Sequence, residues 1–167
     1  MKKRVVLAVW LLSLLLLAAR AGTASDEREL KAEEPMTSAA LERILKTMEP
    51  NIEGSSGRWV MLRDGVPVLI WGNESHNRIR AMAPVAEVER IDQQVLMRMM
   101  EANFATALDV RYAVFEGIVW AVFGHPLDSL RERDLVSGLQ QVVSLAKTAG
   151  TTYLSSDLKF GPSYEEK

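Results

Sequence analysis

The periodic spacing of apolar residues predicts a helix near each end of a domain that spans residues 37–155. The first helix begins near Ser38 and ends before Pro50, because the residue before a proline avoids the helical region. The second begins near residue 131 and ends at Gly150, a residue type common just past a helix C-terminus. In both segments apolar residues recur every three or four positions, which predicts helices that bury one face.

Two predicted β-hairpins occupy the region between these helices. Residues 58–71 are rich in strand-forming residues and turn at the Asp-Gly pair that ends at Gly65, a favoured tight turn. The second hairpin, residues 110–123, turns at Gly117. Its return strand is apolar on both faces, which predicts a central position in a sheet that is covered on both sides. A further strand is predicted at residues 78–88.

A third helix, predicted at Asp92–Thr106, lies between the hairpins and has an unusually wide apolar arc. Its apolar side chains spread over about 220° at helical spacing, whereas a surface helix typically needs about 100°. The helix is therefore expected to bury two surfaces, one in its own core and one against another chain. With this helix the order is α–β–β–β–α–β–β–α, an α+β fold with a mostly antiparallel sheet packed with helices.

The N-terminus has the three-part layout of a secretory signal peptide. Basic residues precede an apolar run from Val5 to Ala19. The small residues Ala19 and Ala21 lie at positions −3 and −1 relative to the predicted cleavage site. This run is shorter than the roughly 20 residues of a membrane span. We predict a signal peptide at residues 1–21, cleaved after Ala21, and a periplasmic or secreted protein; an uncleaved N-terminal anchor is the alternative. Polar composition predicts a flexible linker at residues 22–36 and a polar tail at residues 156–167.

Charge and cysteine content narrow the possible partners. The formal net charge is −2, and cleavage would remove four basic residues and change it to −6. An acidic protein without a basic cluster is a poor nucleic-acid binder, so we expect no nucleic-acid partner and no membrane contact after cleavage. The chain has no cysteine, so the fold rests on its apolar core without disulfides.

No arrangement of residues predicts catalysis or metal binding. His76 lies in a polar turn, His125 precedes a proline, and neither has a neighbouring nucleophile or ligands at metal-binding spacing. The glycine-rich segment at residues 54–57 lacks the Lys-Ser/Thr pair of a phosphate loop and is interpreted as a flexible connection. We therefore expect no enzymatic activity, no metal site and no cofactor.

One run of residues resembles a known family. The segment Leu96–Phe104, followed by a hairpin and by Leu127–Leu130, resembles the type III secretion chaperones, which have the Tir-chaperone-like fold. The resemblance covers about residues 37–150. The positions that match the layout of that family are Asn103, Tyr112–Phe115, Gly117, Trp120 and Leu139–Ala146.

The resemblance implies a small, acidic, non-enzymatic homodimer that binds extended segments of partner proteins. It implies dimer-interface roles for Met97, Met100 and Phe104. The partner-binding candidates that it implies are Leu41, Leu45, Trp59, Met61 and Leu69. Secretion chaperones act in the cytoplasm, whereas the N-terminus predicts export, so the fold can be shared without the secretion role.

The function predicted from the sequence is an exported, non-enzymatic, chaperone-like module that binds proteins and is homodimeric. Its partner is unknown. The alternative is a small-ligand-binding or sensing domain of the bacterial envelope. That alternative requires a large enclosed cavity lined by tryptophan and methionine, between the sheet and the helices.

Overall fold

The structure is a computed structural model that describes residues 34–160. The predicted signal peptide, nearly all of the predicted linker and the end of the predicted tail lie outside the described residues. Within residues 34–160, no helix combines the length and the apolar character that crossing a bilayer requires.

Helices and strands follow the predicted order, with one additional strand at the N-terminal edge of the sheet. The helices are α1 (Ser38–Met48), α2 (Gln93–Ala105) and α3 (Glu132–Lys147), and a short 3-10 turn, Val88–Arg90, precedes α2. The strands are β1 (Glu53–Ser55), β2 (Arg58–Arg63), β3 (Val66–Asn73), β4 (Arg78–Glu87), β5 (Val110–Phe115) and β6 (Ile118–His125). The predicted α+β class and the antiparallel sheet are confirmed.

Strand β1 replaces the flexible connection that the sequence predicted. Its residue Gly54 pairs with Trp59 of β2 in an antiparallel ladder. Ser56 and Gly57 have φ angles of 53° and 86°, so a tight turn joins the two strands. A Cβ atom at Gly54 would lie 2.2 Å from the Arg58 carbonyl oxygen, so only glycine fits there. These glycines shape a hairpin instead of loosening the chain.

The six strands form one antiparallel sheet in the order β1-β2-β3-β4-β6-β5. Helix α2 connects β4 to β5, and the β5–β6 hairpin then folds back so that β6 pairs with both β4 and β5. The return strand is therefore an interior strand paired on both sides, although it lies next to the edge strand and not at the centre of the sheet. The prediction of full cover on both sides is wrong, because Trp120 and Val122 of β6 are only half-buried.

Helices α1 and α3 cover one face of the sheet, which we call the inner face. A Cβ atom at Gly138 of α3 would lie 2.8 Å from the ring of Phe123 in β6, so helix and sheet approach closely there. A Cβ atom at Gly72 of β3 would similarly lie 3.2 Å from the Leu41 side chain of α1. The hydrophobic core lies between these helices and the inner face. We call the opposite face of the sheet the outer face.

Candidate interaction surfaces

Helix α2 divides its wide apolar arc between the core and an exposed surface. Met99 and Ala102 are buried, as one side of the helix packs against the domain. Met97, Met100 and Phe104 are 56%, 41% and 79% exposed, and their spacing places them on one face. We call these three residues the α2 face. The second apolar surface predicted from the sequence therefore exists, and its role as a dimer interface stays a prediction.

One side chain of α2 bonds to the backbone of the edge strand of the sheet. The Oδ1 atom of Asn103 accepts a hydrogen bond from the Tyr112 backbone N–H at 2.7 Å. Its Nδ2 atom donates to the Tyr112 carbonyl oxygen at 3.2 Å. Tyr112 lies in β5, an edge strand whose outer backbone groups would otherwise need water or another chain. Asn103 thus attaches α2 to β5 and holds the α2 face in a defined direction.

The segment after α3 folds back against the end of α2. The Thr106 hydroxyl donates to the Tyr153 carbonyl oxygen at 2.6 Å, and the Leu108 N–H donates to the Ser155 hydroxyl at 2.7 Å. The Phe160 N–H donates to the Ala105 carbonyl oxygen at 2.7 Å. The first residues of the predicted polar tail are therefore attached to α2, next to the α2 face.

Four exposed apolar residues near α2 were missed by the sequence analysis. They are Val114, Phe115, Leu158 and Phe160. For the two in β5 a signal was available, because neighbouring residues in a strand point to opposite faces and cannot both enter one core. For Leu158 and Phe160 no periodic pattern was present. All four lie on segments that contact α2 or bond to it.

The partner-binding candidates do not lie together on one surface. Leu41, Leu45, Trp59 and Met61 are at most 4% exposed and form part of the core, because α1 and the inner face of β2 pack against each other. Leu69 is half-buried on the outer face. The five residues therefore do not form one accessible surface. Their partner-binding role stays a prediction.

The outer face of the sheet provides a second exposed surface. The strand register places its side chains in rows that run across the sheet. One row is Arg58, Trp71, Arg80 and Gly124, and the next is Val60, Leu69, Met82 and Val122. The position after these holds two separate pairs, Leu62 with Pro67 and Pro84 with Trp120. The second row and the two pairs are apolar, although Leu62 is 65% exposed and Val60 is 43% exposed.

The two histidines are placed apart, in local arrangements. His76 Nδ1 lies 3.0 Å from Asn73 Oδ1 within the β3–β4 turn. The His125 ring stacks on Phe123, with 6.0 Å between centroids. In the part of the chain that the structure describes, no three His, Cys, Asp or Glu residues are grouped so as to hold a metal ion.

Two concavities among the described residues are open notches at the surface. One, of about 610 Å³, lies between the end of α2 and the segment around Tyr153. Another, of about 460 Å³, lies on the outer face beside Trp71. Neither is the enclosed cavity lined by tryptophan and methionine that the small-ligand alternative requires, so no observation favours that alternative.

Comparison with solved structures identifies the fold. The chain is similar to the Yersinia pestis type III secretion chaperone SycH, solved in complex with a stable fragment of YscM2. The TM-score is 0.53 at 18% identity, over 68% of this chain and 98% of that chain. It is also similar to a chain of the ExsC–ExsE complex, with a TM-score of 0.53 at 16% identity, over 67% of this chain and 92% of that chain.

A third similar structure is the HopA1–SchA chaperone–effector complex. The TM-score is 0.50 at 14% identity, over 65% of this chain and 88% of the other. No family model matches the sequence, and no curated protein sequence matches it. The chain thus has the fold of the type III secretion chaperones, which confirms the resemblance seen in the sequence.

The predicted periplasmic or secreted location is wrong. The proteins that share this fold are secretion chaperones, and these are cytoplasmic, which points against a secreted protein with a signal peptide. The prediction depended on a compositional pattern of basic, apolar and small residues. Such a pattern describes a short stretch of sequence and carries no information about the domain that follows.

Proposed function

We propose that this protein is a non-enzymatic, chaperone-like module that binds other proteins and acts as a homodimer through the α2 face. The carrying observation is the pair of apolar surfaces on α2, one of which is buried in the domain while the other is exposed. Met97, Met100 and Phe104 form the exposed surface. Exposed apolar patches of this kind mark interaction sites on soluble proteins.

The position of α2 supports a second copy of the chain as the occupant of the α2 face. Asn103 and the segment ending at Phe160 hold α2 from two sides, so its exposed face is preorganised. A preorganised surface loses little conformational entropy when it binds. A dimer around a two-fold axis would bring the same face of α2 from both copies together, so an apolar face can cover itself.

A protein-binding role is supported by what the similar structures contain. SycH was solved with a fragment of YscM2, and SchA with the effector HopA1. In this chain the apolar residues of the outer face provide area that an extended segment can cover.

The dimer is tested by multi-angle light scattering and sedimentation velocity on the wild type and on Phe104→Glu. Phe104 is 79% exposed, so the substitution leaves the fold of a single chain intact. In a dimer it would bury an unpaired charge, which costs several kcal/mol. We expect the wild type to have twice the mass of one chain and the variant to dissociate at micromolar concentration.

Gln140→Glu is the matched control for this variant. It adds the same charge at an exposed position of α3, away from the α2 face, and should leave the mass unchanged. A wild-type protein that remains monomeric at high concentration would contradict the dimer. Binding is tested with a displayed library of short peptides, and a library in which no sequence is enriched would contradict the protein-binding role.

A further inference from the structure

The outer face contains a cationic notch that the proposed function does not yet explain. The notch, about 460 Å³ in volume, lies where β3, β4 and β6 meet. Trp71, which is 43% exposed, forms one side of the notch. The guanidinium carbon of Arg58 lies 5.7 Å from the centroid of the Trp71 ring. Arg80 pairs directly with Trp71 across the two strands. We call this feature the arginine–tryptophan notch. The residues that line it are Trp71, Asn73, Arg78, Ile79, Arg80, Gly124, His125 and Pro126.

The positive charges of the notch have no counter-charge within the described part of the chain. Arg58 and Arg80 form no ion pair with any residue of that part, and Arg78 donates to the Asn77 carbonyl oxygen at 2.7 Å. No aspartate or glutamate lines the notch. Arg78 and Arg80 line the notch, and the Arg58 guanidinium lies over the Trp71 ring at its side, so the notch attracts an anion. The planar fork of arginine matches the geometry of a carboxylate.

The floor of the notch is open beside Arg80. Gly124 is the register partner of Arg80 in β6 and has no side chain to fill the space. A Cβ atom added at Gly124 would meet only the Ile79 carbonyl oxygen, at 4.0 Å. A side chain from another molecule can therefore reach Arg80 from the solvent without displacing any protein group.

The row of the outer face next to the notch is apolar, so a segment that places a carboxylate in the notch should also carry an apolar residue. Val60, Leu69, Met82 and Val122 follow the notch at the spacing of alternate residues along the strands. Alternate residues of an extended chain are separated by about 6.6 Å and point the same way. An extended segment that runs along the strands can thus place a carboxylate in the notch and an apolar side chain two residues later on this row.

We propose that the arginine–tryptophan notch binds the carboxylate of an aspartate or glutamate in an extended segment of a partner protein, with an apolar residue two positions away. This inference rests on the proposed protein-binding function and adds the chemistry of the partner. A nucleic acid is a poorer fit. The whole chain has a net charge of −2, and the row next to the notch is apolar.

The test is fluorescence anisotropy with the full-length protein and a short labelled peptide in which glutamate alternates with valine. The comparison peptide has glutamine in place of glutamate. We expect the glutamate peptide to bind about tenfold more tightly, since a charge-assisted hydrogen bond is stronger than a neutral one. The difference should shrink in about 1 M salt, where exposed charges are screened within a few ångströms.

Arg80→Gln should weaken binding of the glutamate peptide by about tenfold and leave the glutamine peptide unaffected. Lys147→Gln is the matched control, because it also removes one positive charge but lies at the exposed end of α3. Gly124→Glu should cause a comparable loss, as it places a carboxylate beside Arg80 within the chain. Circular dichroism and the mass in solution verify that each variant keeps its fold and its association state.

Equal binding of the two peptides, or an Arg80→Gln variant with wild-type affinity for the glutamate peptide, would overturn this inference and leave the proposed function standing. If neither peptide binds and no sequence from the displayed library is enriched, the proposed function fails as well. Tighter binding of a single-stranded oligonucleotide than of the glutamate peptide, with loss in Arg80→Gln, would assign the notch to nucleic acid and overturn the inference.

Discussion

Both faces of the sheet carry apolar residues, but only the inner face is covered by helices, and the outer face also carries arginines. On the inner face, Val68, Ile70 and Val119 are fully buried under α1 and α3. On the outer face, Val60 and Leu62 of β2 are largely exposed, although they alternate with the buried Trp59 and Met61. The helices that cover only the inner face explain why apolar residues of the same strands are buried on one side and exposed on the other.

This contrast separates residues that hold the fold from residues that are free to bind. A domain of this size needs one core, and two helices above one face supply it. The exposed apolar side chains on the outer face and on α2, such as Leu62 and Phe104, gain little from folding of the single chain. Their burial requires another molecule, so these surfaces are where function is expected.

Truncation of a leucine should be costly on the covered side and nearly neutral on the outer face. Leu45→Ala removes a fully buried side chain of α1 and should lower the free energy of unfolding by about 2–5 kcal/mol. Leu62→Ala, at a 65% exposed position, should change it by about 0.5 kcal/mol or less. Urea unfolding at one protein concentration measures both, and equal losses would mean that the outer face is also covered.

Loss of the Asn103 amide should destabilise the junction between α2 and the sheet. Asn103→Ala leaves the Tyr112 backbone N–H and carbonyl without their partner, at a cost of about 1–3 kcal/mol. Asn103→Asp keeps the acceptor but places a carboxylate oxygen against the Tyr112 carbonyl, so it should recover only part of the loss. Hydrogen exchange at the Tyr112 amide reports the same event. An exchange rate unchanged in Asn103→Ala would contradict this role.

The smallest expected effect is on the pH dependence of stability, through the Tyr112 hydroxyl on the inner face of the sheet. Burial raises the pKa of this hydroxyl above its usual value of about 10, and the nearby Tyr153 adds to the increase. Since the folded state holds the proton more tightly than the unfolded state, this contribution to stability is complete below about pH 10. It is lost as the pH rises from there towards the folded pKa.

Tyr112→Phe should therefore reduce the dependence of stability on pH between about pH 9 and pH 11. The variant should also be less stable by about 1 kcal/mol at neutral pH, because the Leu145 carbonyl loses its 2.8 Å donor. Urea midpoints of the wild type and the variant at both pH values provide the measurement. Parallel pH profiles would exclude Tyr112 as the source of the dependence.

Much of the fold was predictable because its signals are local. Helical spacing in α1 and α3, the turn at Gly65 and the capping residue Asp92 each depend on a few neighbouring residues. The Asp92 side chain accepts a hydrogen bond from the Gln94 N–H at 2.7 Å, as expected for the start of α2. Strand β1 escaped prediction because a three-residue strand has no period, and its glycines read equally well as a loose connection.

The candidate sites were less predictable than the fold. The wide apolar arc of α2 correctly indicated that this helix has two apolar surfaces. Met97, Met100 and Phe104 of the exposed surface were named from the sequence. The partner-binding candidates came from the family layout, and four of these five side chains lie in the core. The arginine–tryptophan notch could not be found from sequence, because Arg58, Arg80 and Gly124 meet only through the register of separate strands.

The sequence alone determined the order of the elements, the α+β class and the double apolar character of α2, since these follow from spacing along one chain. Tertiary structure decided which face of the sheet is covered, which strand lies at the edge beside Asn103, and which charges remain unpaired. The spacing of apolar residues predicts which face of a helix or strand each side chain lies on. Whether that side is sealed or exposed depends on contacts between segments far apart in the chain, and these exist only once the sheet has assembled.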